Sequence, residues 1–84
     1  MLEQNVPNPF ADNTTINYFI PDNVKEAKII FFDNTGRLIK EVVIEGNGQG
    51  VLNVFAPDLS NGTYSYSIID DDKVIDTKRM VKVK

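Results

Sequence analysis

The chain has 84 residues, 42% of them hydrophobic, and nine Lys and Arg against twelve Asp and Glu give a net charge of −3. That length allows one domain with one small core, burying roughly 60–65% of its unfolded surface, and the mild acidity gives no pull toward nucleic acid or an anionic membrane. With no Cys, His or Trp, the sequence offers neither a disulfide framework nor a thiolate metal site, and it lacks the commonest general base.

The first residues lack the basic-then-apolar pattern of a signal peptide, and no apolar run approaches the length of a membrane helix. If the domain is exported, its address lies elsewhere in a longer parent chain, or the domain is itself an address. Residues 5–10, Asn-Val-Pro-Asn-Pro-Phe, come before any strand pattern. Two prolines fix φ and push the residues before them toward extended geometry. This segment is expected to lie across one end of the fold, with Phe10 as a plug.

Residues 15–20 alternate with period two, placing Ile16, Tyr18 and Ile20 on one face and Asn17 and Phe19 on the other. Pro21, which cannot donate to a ladder, ends that strand. After a polar connection, residues 27–33 (AKIIFFD) are apolar on both faces in their middle, the mark of a central strand with Ile29 and Phe31 in the core. Asp33-Asn34-Thr35-Gly36-Arg37 reads as a hairpin turn in which Gly36 takes a positive φ. Residues 37–45 return, residues 46–50 (GNGQG) read as a flexible loop, and residues 51–56 form a short strand ended by Pro57.

Leu59-Ser60-Asn61-Gly62 is a further turn. It leads into residues 63–69, where Tyr64, Tyr66 and Ile68 face the core and Thr63, Ser65 and Ser67 face away. Asp70-Asp71-Asp72 makes a charged hairpin tip, and residues 73–84 form the last strand, expected to set Val81 and Val83 on the sheet with Lys82 and Lys84 in solvent. Strands joined by short turns, with no helical period between them, predict an all-β immunoglobulin-like or fibronectin-like antiparallel sandwich of six or seven strands, one domain over residues 1–84.

Few constellations suggest chemistry. Asp70, Asp71, Asp72 and Asp76 could be read as calcium ligands, but contiguous carboxylates at a hairpin tip lack the spacing of a calcium loop, and a solvated turn accounts for them. A glycosidase pair needs a deep aromatic-lined cleft, for which this chain is a poor host. Tyr18, Tyr64 and Tyr66 could stack on a sugar, though tyrosines on alternating strands more often bury their rings and keep the hydroxyl at the rim. The glycine-rich 46–50 stretch lacks the Lys-Ser/Thr of a phosphate loop. No catalytic, metal or cofactor residues are assigned.

Five stretches, in order, resemble the C-terminal sorting domain of the Bacteroidetes type IX secretion system. Leu2-Glu3-Gln4-Asn5-Val6-Pro7-Asn8-Pro9-Phe10 is similar to the family's Leu-x-Gln-Asn-x-Pro-Asn-Pro-Phe opening, and Thr15-Ile16-Asn17-Tyr18-Phe19-Ile20-Pro21 to its Thr-x-Ile-x-Tyr-x-Leu-Pro strand. Phe32-Asp33-Asn34-Thr35-Gly36-Arg37-Leu38-Ile39 resembles the Tyr-Asp-x-x-Gly-Arg-x-Val hairpin, and Leu59-Ser60-Asn61-Gly62-Thr63-Tyr64 the Leu-x-x-Gly-x-Tyr step. Thr77-Lys78-Arg79-Met80-Val81-Lys82-Val83-Lys84 resembles the closing Thr-x-Lys-Met-x-Val-x-Lys. Phe32 stands for the usual Tyr, Arg79 for Lys, and Asp71-Asp72 for a tip that commonly contains Gly.

The resemblance implies a non-enzymatic export signal fused behind an N-terminal cargo. Its protein partners would be the outer-membrane translocon and a surface sortase that removes the domain. It implies transit through the periplasm to the cell surface or the medium, and no nucleic-acid or small-molecule partner. Also by resemblance, the machinery is expected to read Gly62, Thr63 and Tyr64 together with the closing residues Lys78, Arg79, Met80, Val81, Lys82, Val83 and Lys84. An adhesion or carbohydrate-binding sandwich of a surface protein is the alternative. A sorting signal needs the native reading frame to stop at Lys84, whereas an adhesion module has no such requirement.

Overall fold

The computed structural model describes residues 2–84. Six strands follow one another: β1 (Asn13–Ile20), β2 (Ala27–Phe32), β3 (Leu38–Ile44), β4 (Gly48–Phe55), β5 (Gly62–Asp70) and β6 (Lys73–Lys82), with no helix among the described residues. All pairings are antiparallel, giving a small sheet β1-β4 and a larger one ordered β3-β2-β5-β6. The all-β sandwich expected from the alternation is the fold found.

Its core follows from period-two alternation on both sheets. Ile16 and Ile20 of β1 face Ala27, Ile29 and Phe31 of β2 and Tyr64, Tyr66 and Ile68 of β5, all buried. Each such apolar side chain contributes about 1.5–3 kcal/mol on leaving water. The rings of Phe31 and Tyr66 meet at a centroid distance of 6.0 Å, within aromatic-pair range. β2 lies between β3 and β5, as its two-faced apolar run predicts.

Turn chemistry explains the hairpins. Gly36 has φ +87°, so the β2–β3 turn uses glycine where an L side chain would be strained. Asp33 organises that turn: its Oδ1 accepts hydrogen bonds from Thr35 N (2.9 Å), Thr35 Oγ1 (2.6 Å) and Arg37 N (3.0 Å). The Thr35 hydroxyl first, then the Arg37 amide, holds the Asp33 carboxyl below its ordinary 3.8. At the β5–β6 tip, Asp71 and Asp72 adopt φ +48° and +70°, the left-handed pair of a tight primed hairpin, filled here without glycine.

Residues 2–10 form a strap rather than a strand. Leu2 bridges to Tyr18 and Val6 to Thr15 along the free side of β1; residues 7–9 bend, with both X–Pro bonds cis, and Phe10 bridges to Lys82 of β6. The segment therefore starts beside the small sheet and ends bonded to the large one. Phe10 is 1% exposed, the plug that the sequence suggests, although the prolines serve a bend and not an extended run.

Two further expectations need correction. Lys82 is not a solvent residue: it is 3% exposed, while Val83 is 40% exposed. Buried Met80 sets the phase of β6, so Lys82, two residues on, also points inward opposite Gly62. Its stem lies in the core and its Nζ donates to the Val83 carbonyl at 3.0 Å. The second correction concerns residues 46–50, of which Gly48, Gln49 and Gly50 belong to β4 and pair with Ile20, Phe19 and Tyr18. Gly50 sits under the Tyr18 ring, which a Cβ at that position would displace.

Candidate functional site

The residues that the resemblance selects come together on β5 and β6. Gly62 pairs with Lys82, Thr63 with Val81, and Tyr64 with Met80. Tyr64 is buried, and its hydroxyl donates to the Ser60 carbonyl at 2.7 Å, closing the turn four residues upstream. The Leu-Ser-Asn-Gly-Thr-Tyr step thus has a structural use, resembling the tyrosine corner of immunoglobulin-like sandwiches.

Along β6 the side chains divide. Met80 and Lys82 are buried, Lys78 and Val81 are half-buried, and Arg79, Val83 and Lys84 are exposed. A partner docking on the folded domain can touch Thr63, Arg79, Val83 and Lys84, whereas it meets Met80 and Lys82 only if the sheet opens. The ion pairs among the described residues are Lys28–Glu41 and Arg37–Asp33, and neither includes Arg79 or Lys84. Beside Arg79 runs a groove of about 320 Å³ lined also by Asp33, Asn34, Gly36, Thr63, Tyr64 and Ser65. It brings three of the five motifs to one surface.

The strap completes this site. Phe10 N donates to Val81 O (2.9 Å), Val83 N to Phe10 O (2.8 Å), and Val81 N to Asn8 Oδ1 (2.8 Å). The Gln4 side-chain amide donates to the Arg79 carbonyl. Deeper in, Tyr66 Oη accepts from Asn5 N (2.9 Å) and donates to Glu3 O (2.8 Å), while the buried Asn5 amide reaches Thr14 Oγ1 and Pro7 O, each at 3.1 Å. Burial pushes the Tyr66 phenol up to about 12, opposed by the Asn5 N–H and aided by the charge of Asp76. Asn8 and Phe10 were absent from the residues that the resemblance assigned to recognition, yet they hold the closing segment. Their signal was in the opening motif, which read as a plug alone.

Other assignments find less support. Tyr64 and Tyr66 are buried and Tyr18 is packed over Gly50, so the three tyrosines form no exposed row for a sugar. Among the described residues, no group of three or more His, Cys, Asp or Glu side chains is placed to hold a metal ion. Asp71 and Asp72 sit exposed at their hairpin tip. What this surface offers is a shaped groove with Asp33 and Arg79 on its walls.

The sequence model of a family described as "Secretion system C-terminal sorting domain" matches residues 6–83. No curated protein matches the chain.

Proposed function

We propose, on the premise that the chain belongs to the secretion system C-terminal sorting domain family, that it carries a fused cargo through the type IX outer-membrane translocon. Residues 1–84 act as one sorting domain with no catalysis of its own. Sorting signals of this family direct export to the cell surface or the medium. The cargo crosses the periplasm first, and a surface sortase then removes the domain. The observation that carries this reading is the extent of the family match, nearly end to end. The bonding of the first motif to the last supports it.

The machinery reads the folded β5–β6 face: Thr63, Arg79, Val83 and Lys84 by direct contact, with Gly62, Tyr64, Lys78, Met80, Val81 and Lys82 holding that face in shape. The test fuses the chain to the C-terminus of a periplasmic reporter in a cell with type IX secretion. The expected result is surface or medium reporter, and export should fall when Arg79→Glu and Lys84→Glu are introduced together. Both side chains are exposed, so this pair should spare the fold, whereas Lys82→Glu would bury a carboxylate. A reporter that stays periplasmic overturns the sorting reading. Full export by the double variant removes the role given to those two charges.

A further inference from the structure

The sandwich has four sheet edges, and three of them are blunted. β3 carries Lys40 and Glu41, and its pairing with β2 slips by a bulge at residues 31–32. β6 carries Lys73, Asp76, Lys78 and Arg79 and has its own register slip. Beside β1 lies the strap with Pro7 and Pro9. Charge, bulges and proline are the usual devices that keep an edge from pairing with a stray strand. β4 has none of them: Gly48–Phe55 (GQGVLNVF) contains no charge and no proline, and its register with β1 is unbroken over eight residues.

The free ladder on β4 can be assigned. Thr15 and Asn17 of β1 give their backbone groups to Val6 and Glu3, and Ala56 N donates to Asp12 O. Backbone groups alternate along an antiparallel strand, so the even residues of β4 face β1. Gln49, Val51, Asn53 and Phe55 turn their N–H and C=O outward. Their side chains are exposed too, Val51 at 56% and Phe55 at 74%. The even residues Leu52 and Val54 point the other way and line an apolar groove of about 380 Å³ between β4 and β3, shared with Phe31, Ile39 and Val42.

We propose that β4 is a self-association edge, pairing antiparallel with β4 of a second copy. A two-fold axis normal to the sheet keeps each side chain on its own face, so odd residues must oppose odd ones. Those are the residues with free backbone groups, so face and hydrogen-bond phase agree in every register the axis permits. No such register sets like charges together, because β4 has no charge. The second copy's Leu52 and Val54 then lie over the mouth of the groove. Such an isologous contact uses up both edges and stops at two copies. Its small area places it among weak, transient interfaces.

Sedimentation of the 84-residue chain across a concentration series from micromolar to millimolar should show a monomer–dimer equilibrium. On association, the amides of Val51 and Asn53 should gain protection from hydrogen exchange while those of Glu41 and Val43, on the free side of β3, do not. Val51→Lys, an exposed substitution that should leave the melting temperature unchanged, should weaken association at least roughly tenfold by adding like charge at the pair. Dimers unaffected by Val51→Lys, or protection that appears on β3, overturn the proposal. Monomers throughout also overturn it and leave the edge to a foreign strand.

Discussion

The two flanks of this sandwich are built differently. On one, residues 2–10 are tied to β1, β5 and β6 by backbone bonds, by Tyr66 Oη and by the fully buried Phe10. On the other, β3 and β4 leave their outer ladders unpaired, with a groove between them. Closure is concentrated where the first and last motifs of the chain meet, so the closing segment takes its shape from residues at the opposite end of the sequence. Residues 81–83 are thereby held in a fixed form.

The sharpest contrast between the flanks is between two phenylalanines. Phe10→Ala should cost about 3–5 kcal/mol, most of what so small a domain has to spare, whereas Phe55→Ala on the open flank should stay within about 0.5 kcal/mol. Urea denaturation of both variants measures this. Similar losses from the two would erase the distinction.

Tyr66→Phe tests the strap with little change of volume. It leaves the buried Asn5 N–H and the Glu3 carbonyl without their shared partner, at a cost of about 1–3 kcal/mol. The same hydroxyl gives a pH signature. The folded phenol titrates at about 12, above the ordinary value near 10 that applies when unfolded. Above about pH 10 the unfolded chain therefore holds fewer protons than the native one, so stability is complete below that pH and declines as pH rises through 12. Denaturation midpoints at pH 9 and above should show this decline in the parent chain and less of it in Tyr66→Phe.

The smallest effect lies at the β5–β6 tip. Asp72→Gly removes a left-handed φ of +70° from a residue with a Cβ, and one of three adjacent acids. It should raise stability by up to about 1 kcal/mol. A lower melting temperature would mean that Asp72 makes a favourable contact outweighing its backbone.

How much of this was legible in the sequence depended on whether the cause was local. Tyr64, Tyr66 and Ile68 alternate within one strand, so their burial could be read directly, and Asp33 followed by Gly36 specifies its turn without outside help. Lys82 could not be placed that way. Val81-Lys82-Val83-Lys84 alternates cleanly in either phase, and the phase was decided by buried Met80 and by Phe10 arriving from the other end of the chain. Gly50 read as part of a loop because its reason is the Tyr18 ring on a different strand. The candidate site followed the same division. Its motifs were recognisable one by one, but the bonds from Asn8 and Phe10 to Val81 and Val83 are tertiary and leave no local trace.

The most direct test of the account is native-state hydrogen exchange at Val83, read at a concentration low enough to keep the chain monomeric. A residue so near the end of a strand would ordinarily fray, and the partner of its amide is the carbonyl of Phe10. If strap and closing segment are one unit, the amides of Val83, Val81, Phe10 and Asn5 should open together with a common free energy, well above those of Val51 and Asn53 on the free β4 edge. An unprotected Val83 amide beside a protected Phe10 would show that the two ends of the chain are not coupled.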